Sequence, residues 1–402
     1  MARLALRNLS RNRRRTLLSA GIIALGCALS LVVLGFVERS RSLIQETTVQ
    51  QFGNLQIADP ALLDGKAEGF EYLILPAVQA QVEDLVRAER GVLGTTAQLA
   101  LSGLLAVRRT TAVVRAVGVV PENDVLDYND LVIDGRGLKP GDVGAVLVGQ
   151  ILADELGLRP GDFVNLTATT VAGAFNVSPL EVVGLFRFSS AEVERAQVFV
   201  PLSFAQLLLA TDGVDRIVVR LDRLGRTWSA ARAIGTRLDA AGFPLEVRTW
   251  DVLSPFYQSL SGFFDILFGF LVAAVFILVF FIVLQILTLS FLERTREVGT
   301  IRALGTRQGE VLRLFVEESL WLGLVGGGVG VLAGAAISLL FNAAAIPWQP
   351  PGTVQAVTLG VNFTGAVVLI PFAVSVVSTL ASAFLPAYQA TRVSVVDALR
   401  AA

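Results

Sequence analysis

Four long apolar segments divide the chain, and each is long enough to cross a lipid bilayer. They cover residues 16–37, 264–292, 311–341 and 364–385. An α-helix rises about 1.5 Å per residue, so about 20 apolar residues span the hydrocarbon core. The pattern therefore predicts an integral membrane protein with four transmembrane helices. A removable signal peptide is a competing interpretation of the first segment, but the apolar run is long and no small-residue cleavage motif follows it.

The stretch between the first two apolar segments, residues 38–263, has the polarity of a soluble domain. Its apolar residues alternate with polar ones in some parts and recur every three to four residues in others, which predicts a mixed α/β domain. Residues 38–52 and 251–263 have helical patterns next to the membrane segments and predict a pair of stalk helices. Other helices are predicted at 76–89, 146–156, 203–209 and 227–241, and strands at 55–58, 92–107, 111–120, 163–169, 181–188, 197–200, 216–221 and 245–249.

Arginines near the ends of the apolar segments predict the orientation of the chain. Six arginines lie in residues 1–15, five lie in residues 294–313, and the segment 342–363 has no charged residue. Lys and Arg concentrate in cytoplasmic loops of membrane proteins. We therefore expect both termini (1–15 and 386–402) and the loop 293–310 in the cytoplasm. The large domain and the loop 342–363 are then expected on the opposite side.

Composition excludes several kinds of chemistry. The 402 residues contain no histidine and a single cysteine, Cys27. Without histidine the commonest general base and metal ligand is missing, and one cysteine can form neither a disulfide within the chain nor a cysteine zinc site. No paired carboxylates lie in an apolar context, and no charge lies in the middle of an apolar segment. We expect no catalytic residue, no metal site and no cofactor in this chain, and the net charge of −1 gives no reason to expect nucleic acid.

Two nearly identical hexapeptides occur at residues 137–142 (GLKPGD) and 157–162 (GLRPGD). Pro followed by Gly is typical of tight turns, because Pro fixes φ and Gly accepts a positive φ. A phosphate-binding loop is the alternative, but neither hexapeptide matches the required pattern. The sequence predicts two turns.

The third apolar segment is rich in glycine, and several of these glycines are four residues apart. Glycine at this spacing lets two helix backbones approach closely in a membrane. The spacing favours a helix–helix interface, within the chain or across a dimer, over the general enrichment of glycine in membrane helices. The residues predicted to pack at this interface are Gly323, Gly326, Gly327, Gly330 and Gly334.

The loop after the second apolar segment resembles that of a known family. Residues 292–305, LERTREVGTIRALG, strongly resemble the corresponding loop of FtsX/MacB/LolC-type permeases, which belong to the mechanotransmission class of ABC transporters. Residues 386–400 resemble the ending of the same family, and residues 118–121, 148–161 and 183–186 resemble pieces of its periplasmic domain. The order of one helix, a large domain and three helices also agrees. The resemblance implies that the soluble domain is a MacB-like periplasmic core.

The resemblance also implies a function and partners. It implies a permease of the bacterial inner membrane that dimerises with a second copy or a paralogue. It further implies a cytoplasmic ABC ATPase dimer that holds ATP and Mg, and a periplasmic or outer-membrane partner. MacB carries its nucleotide-binding domain fused to its N-terminus, whereas residues 1–15 here are a short basic stretch and no Walker A motif occurs, so we expect the ATPase on a separate chain.

The substrate stays open at this point. Lipoprotein release, efflux and control of cell-wall hydrolases are the outputs of the family, and the size of the soluble domain disfavours only the third. The alternative function is a non-transporting receptor or scaffold with an extracytoplasmic sensing domain. It predicts no ATPase partner and tolerance of charge reversal within residues 293–302.

Residues 298–304 are predicted to form a short helix between two spans, with an apolar stripe, small residues and charged edges. Such a helix suits docking of the ATPase that the resemblance implies. A positively charged loop without a partner is the alternative interpretation. The residues expected to couple to the ATPase are Glu293, Arg294, Arg296, Glu297, Val298, Gly299, Ile301, Arg302, Ala303, Leu304 and Gly305.

Overall fold

The computed structural model describes residues 13–67, 70–123, 125–188, 190–303, 306–349 and 357–392. It divides into a membrane unit (1–42, 260–347 and 358–402) and a soluble unit (43–259 and 348–357). The helices are α1 (Arg13–Phe52), α2 (Pro60–Leu63), α3 (Pro76–Arg87), α4 (Gln150–Leu156), α5 (Ala191–Ala196), α6 (Leu202–Leu209), α7 (Thr227–Ala241), α8 (Trp250–Leu253), α9 (Pro255–Ala303), α10 (Gln308–Ala343) and α11 (Gly365–Arg392). The strands are β1 (Leu55–Ala58), β2 (Val92–Val107), β3 (Thr110–Val119), β4 (Val132–Gly135), β5 (Ala145–Gly149), β6 (Phe163–Thr169), β7 (Phe175–Phe186), β8 (Gln197–Pro201), β9 (Arg216–Leu221), β10 (Glu246–Thr249), β11 (Pro347–Trp348) and β12 (Val357–Thr358).

Within the described residues, four helices are long and apolar enough to cross a membrane, namely α1, α9, α10 and α11. The fold class predicted from the sequence, four transmembrane helices with a large α/β domain, is confirmed. Helix α1 runs without a break from Arg13 through the predicted first stalk to Phe52. It ends where Gly53 takes a positive φ of 73°, a conformation that L-residues rarely adopt.

Helix α9 corrects two details of the prediction. The expected short helix at 298–304 is not separate, because residues 298–303 form the last turns of the 49-residue helix α9. Leu, Glu, Arg and Ala dominate residues 292–303, and these residues favour helix strongly enough to carry it past Gly299. The second predicted stalk is interrupted at Ser254, between α8 and Pro255 at the start of α9.

Six strands of the soluble unit pair in a closed ring. Their order is β2, β3, β8, β5, β7 and β6, and β6 pairs again with β2. The β3–β8 and β5–β7 pairs are parallel and the others are antiparallel. Buried aliphatic side chains such as Leu105, Val164 and Leu180 pack with α4 and α6 into one core. A closed ring leaves its six members without a free edge.

A second part of the sheet extends from the ring through the long strand β2. Residues 92–98 of β2 pair with β9, and the order continues through β1 to the edge strand β10. Helices α3 and α7 cover this part, with Val82, Val86, Ile234 and Leu238 fully buried against it. Apolar residues at helical spacing along α3 and α7 thus fill a separate core.

The prediction of a helix over 146–156 is wrong for residues 146–149. Residues 145–149 form strand β5, and the helix α4 begins only at Gln150. All five residues of β5 are buried between β7 and β8. A short run buried on both faces gives no alternation, so its pattern cannot be distinguished from that of a buried helix. The strand predicted at 181–188 also differs from the prediction: β7 runs from Phe175 to Phe186 and is longer.

Both Pro-Gly hexapeptides are turns, as predicted. Gly141 and Gly161 have φ values of 85° and 96°. In each turn the aspartate side chain accepts a hydrogen bond from the backbone three residues earlier, at 2.9 Å for Asp142 and 2.8 Å for Asp162. The first turn is also held by an ion pair between Arg136 and Asp142 at 2.7 Å, which with the hydrogen bonds lowers the pKa of that carboxyl.

Candidate functional site

Three glycines of α10 lie against α1 in the membrane unit. They are Gly326, Gly330 and Gly334, spaced one per turn. A Cβ atom built on Gly330 would lie 2.6 Å from the Cβ atom of Cys27 and 2.7 Å from the carbonyl oxygen of Ala24. Side chains at these positions would push the two backbones apart. The close approach therefore depends on glycine at each of these turns.

The other two predicted glycines lie against α11. A Cβ atom on Gly323 would be 3.3 Å from the Cα atom of Val376, and one on Gly327 would be 3.0 Å from the ring of Phe372. Gly328, between these two faces, has no atom within 4 Å of its built Cβ. The structure thus brings all five predicted packing glycines against helices of the same chain.

Polar contacts also tie the membrane unit together. The Ser378 hydroxyl donates to the carbonyl oxygen of Phe276 at 3.0 Å, which connects α11 with α9. The Asn342 side chain, near the end of α10, accepts from the N–H of Val361 at 2.8 Å and donates to its carbonyl oxygen at 3.0 Å. These bonds satisfy backbone groups that would otherwise be left unpaired.

In the soluble unit, Asn54 joins the end of the first stalk to three other elements. Its side-chain oxygen accepts from the N–H of Leu221 at 2.8 Å, and its amide donates to the Thr227 hydroxyl at 3.4 Å. Its backbone N–H donates to Val219 at 2.9 Å, and its carbonyl oxygen accepts from the N–H of Trp250 at 3.2 Å. Asn54 is 2% exposed, so these bonds are shielded from water. They bind the end of α1 to β9, α7 and α8.

Trp250 joins the second stalk to Asn54 at the end of the first stalk. Its side chain is fully buried, and its ring packs edge-on against Tyr257 of α9 at a centroid distance of 4.6 Å. The Tyr257 hydroxyl accepts a hydrogen bond from Gln45 of α1 at 3.1 Å. We call Gln45, Asn54, Thr227, Trp250 and Tyr257 the stalk junction. It fixes both stalks to each other and to the end of β9.

The predicted coupling segment follows the apolar part of α9. The backbone places residues 293–303 in the last three turns of α9, and α10 begins at Gln308. The N–H of Arg307 donates to the Glu310 carboxylate at 3.0 Å and caps α10. Leu304 and Gly305 lie outside the described residues, as do the side chains of residues 293–299 and 301–303.

Two family models match the chain. Residues 268–395 match the FtsX-like permease C-terminal model. Residues 16–236, more than half of the chain, match the MacB-like periplasmic core domain. The chain belongs to the MacB/FtsX-like permease family. It is thus a membrane-embedded member of an ABC transporter permease family.

The chain matches different fractions of individual members of this family. The macrolide export ATP-binding/permease protein MacB of Chromobacterium violaceum is 30% identical over 207 residues, which are 50% of this chain and 30% of that MacB. The lipoprotein-releasing system transmembrane protein LolC of Xylella fastidiosa is 25% identical over 303 residues, which are 70% of this chain and 72% of that LolC. The solved periplasmic region of MacB from Actinobacillus actinomycetemcomitans is 16% identical with a TM-score of 0.38, covering 53% of this chain and 95% of that region.

Sequence reasoning missed the stalk junction of this MacB/FtsX-like permease. The partners of Asn54 are separated from it by more than 160 residues, so no local pattern brings them together. One local signal was available, because Asn54 follows the glycine that stops a 40-residue helix. A buried polar residue at such a stop is a candidate for joining elements.

Proposed function

We propose that this chain is the permease subunit of an ABC transporter in which a separate cytoplasmic ATPase drives motion of the soluble domain for lipoprotein release or export. The observation that carries the proposal is the pair of family matches, which together cover residues 16–236 and 268–395 in the order of one helix, soluble domain and three helices. ATP and Mg would bind to the partner ATPase, and hydrolysis would occur there.

The stalk junction supports a mechanical role for the soluble domain. Helix α1 is continuous to Phe52, and α9 is continuous from Pro255 to the coupling segment. At the junction Asn54, which follows the first stalk, is hydrogen-bonded to β9 and α7 through buried groups. A domain that is moved through its stalk helices would need such buried attachments at the ends of the stalks.

An ATPase on another chain is in keeping with the absence of a nucleotide-binding motif from residues 1–402. The match extends over 72% of LolC, a transmembrane protein by name, and over 30% of MacB, an ATP-binding/permease protein by name. Within the 402 residues, Lys66 and Lys139 are the only lysines, and neither stands in a Walker A motif.

Orientation and assembly are part of the proposal. The arginine distribution favours cytoplasmic termini and a cytoplasmic coupling segment, with the soluble domain on the opposite side of the bacterial inner membrane. Large apolar side chains of α9, such as Phe270, Ile277 and Phe281, are exposed in the single chain. They are available to lipid and to a second permease copy or paralogue.

The test is purification of the tagged chain in mild detergent together with its neighbouring gene products, followed by mass spectrometry and an ATPase assay. We expect an ATPase to co-purify in about equal amount and to hydrolyse ATP faster than it does alone. An inert, ATPase-free homo-oligomer would instead favour a receptor or scaffold. Release of radiolabelled lipoprotein from proteoliposomes, measured beside efflux of a small substrate, then separates the two outputs.

A further inference from the structure

A cavity of about 340 Å³ opens on the soluble unit beside strands β2 and β3. It includes no residue of the stalk junction and no residue of the coupling segment. Its lining includes the polar residues Tyr72, Arg115 and Arg216 and the half-buried Phe70. Leu101 and Leu209 also line it, but they belong to the core and are 6% and 1% exposed.

The charge of Arg216 is neutralised inside the protein. Its Nε and Nη2 atoms donate to the two carboxylate oxygens of Asp215 at 3.1 and 2.8 Å. Its Nη1 atom donates to the Gln56 side chain at 3.2 Å. Asp215 is 1% exposed, and the Arg216 side chain is 13% exposed. Asp215 and Arg216 thus form an ion pair that adds no net charge to the cavity wall.

Arg115 is different, because it makes no hydrogen bond or ion pair with any side chain in the described part of the chain. It is open to solvent through the cavity, while the surrounding walls and, next, the Arg216 charge lower the pKa of its guanidinium. An arginine nevertheless keeps its proton in a protein. Among the described residues that line the cavity, Arg115 therefore presents a positive charge without an ion-pair partner, together with a planar pair of donors.

Apolar surface continues from the cavity along the sheet. Arg115 lies opposite Ser102 in the β2–β3 ladder, and the next pair on the same face is Val113 and Leu104. Both are exposed, Val113 by 74% and Leu104 by 46%. Leu104 in turn lies opposite Thr167 of β6. Thr167 in turn lies opposite the exposed Val177 of β7. The row from β3 through β2 and β6 to β7 extends over about 14 Å at the usual spacing between strands.

We propose that this cavity binds an organic monocarboxylate with an apolar body. The carboxylate would accept two parallel hydrogen bonds from the Arg115 guanidinium, the geometry that arginine favours for this group. The body would contact Phe70 and extend towards the exposed Val113 and Leu104. A polyanion such as a nucleotide fits less well, because Arg115 is the single unpaired cation among the described lining residues and exposed apolar side chains lie beside it. This site is independent of the proposed transport function and would supply the permease with a ligand-sensing or cargo-contacting surface.

The test uses the full chain in nanodiscs of zwitterionic lipid, titrated in a calorimeter against a blank of empty nanodiscs. The probes are hydrocinnamate, its neutral isostere hydrocinnamamide, and inorganic phosphate. The variants are Arg115→Gln and, as a matched control on the same hairpin, Arg109→Gln, which removes an exposed arginine away from the cavity. Melting curves of each variant check that the fold is retained.

We expect saturable binding of hydrocinnamate, weakened at least about tenfold by amidation of the probe or by Arg115→Gln and unchanged by Arg109→Gln. The comparison of acid and amide needs no variant and stands even if Arg115→Gln does not fold. Equal binding of acid and amide, equal binding of phosphate, or unchanged binding in Arg115→Gln would each overturn the proposal. Absence of saturable heat up to about 10 mM probe would overturn it as well.

Discussion

At the scale of single residues, Asn54 uses all four of its polar atoms in bonds to other elements. A buried amide that satisfies its own groups and those of its partners fixes geometry more than it adds net stability. The adjacent Gly53 is equally constrained, since a Cβ atom there would collide with the Val218 side chain. Two consecutive residues thus define how the first stalk ends.

Replacing Asn54 with Ala should destabilise the soluble domain. The N–H of Leu221 and the hydroxyl of Thr227 lose their buried partner, which costs about 1–3 kcal/mol per group and lowers the melting temperature by about 5–15 °C. Near-UV circular dichroism of the purified chain measures this. The exposed Asn165→Ala on β6 is the control and should melt like the wild type. Equal melting of Asn54→Ala and wild type would remove the structural role of Asn54.

Glu194 should make the domain less stable as the pH rises. It is fully buried, and desolvation raises the pKa of its carboxyl, although the N–H of Phe188 donates to it at 2.6 Å. A raised pKa means that the folded state binds the proton more tightly than the unfolded state, so stability is full below the unfolded pKa and falls as pH rises through the folded value. Glu194→Gln should flatten that fall, measured as melting temperature against pH from about 4 upward. A slope unchanged by the substitution would contradict the assignment.

At the scale of elements, the apolar pattern predicted the long helices well, missed the short helices α2 and α5 and strand β4, and mistook strand β5 for helix. Helices α3 and α7 have one buried face each, so their period is visible in the sequence. Strand β5 is buried on both faces and has no period. The end of α9 was misjudged as well, because the short helix predicted over 298–304 is not separate and residues 298–303 continue α9.

Substituting Gly326 with Val should loosen the packing of α10 on α1. Its built Cβ lies 2.9 Å from the Ile23 side chain, whereas that of Gly328 meets no atom within 4 Å. Overpacking of this kind costs about 1–3 kcal/mol. Cys27 reports on it, as the single cysteine in the chain is buried between these helices. A thiol-reactive dye should label Gly326→Val at a temperature at least about 5 °C below that of the wild type, with Gly328→Val unchanged.

Substituting Gly299 with Trp tests the coupling segment. A bulky side chain there should block close approach of the ATPase and reduce stimulated ATP hydrolysis by at least about tenfold, equal to about 1.4 kcal/mol of lost docking energy. Gly309→Trp is the control, because Gly309 is exposed in the first turn of α10 with no atom near its built Cβ. The soluble domain should melt normally in both variants. Wild-type turnover in Gly299→Trp would mean that the ATPase docks elsewhere.

At the scale of the whole molecule, the arginine distribution makes the topology testable. In a Cys27→Ser background, Asp84→Cys on the soluble domain should react with a membrane-impermeant maleimide in intact spheroplasts, since the Asp84 side chain is 80% exposed. Gly309→Cys should react only after permeabilisation. The opposite result would place the soluble domain in the cytoplasm and contradict the proposed orientation.

The sequence was informative about architecture because long apolar segments and arginine-rich ends are local features. It was uninformative about the places where distant residues meet. Arg115 and Arg216 lie on different strands, and each alone resembles a solvated surface arginine. Their common cavity appears only once β2 pairs with both β3 and β9. Contacts set by strand register are therefore the part that a single sequence cannot supply.

The pairing of β1 with β10 has a consequence for biosynthesis. Leu55 pairs with Thr249, so the first strand of the sheet waits for the last, about 190 residues later. At about 5–20 residues per second this delay lasts about 10–40 seconds. Both edges of β1 stay open to non-native pairing until β9 is made, and one edge stays open until β10 is made. A nascent chain that stalls before Glu246 should therefore be a chaperone client and a protease target, even though its six-stranded ring is already complete.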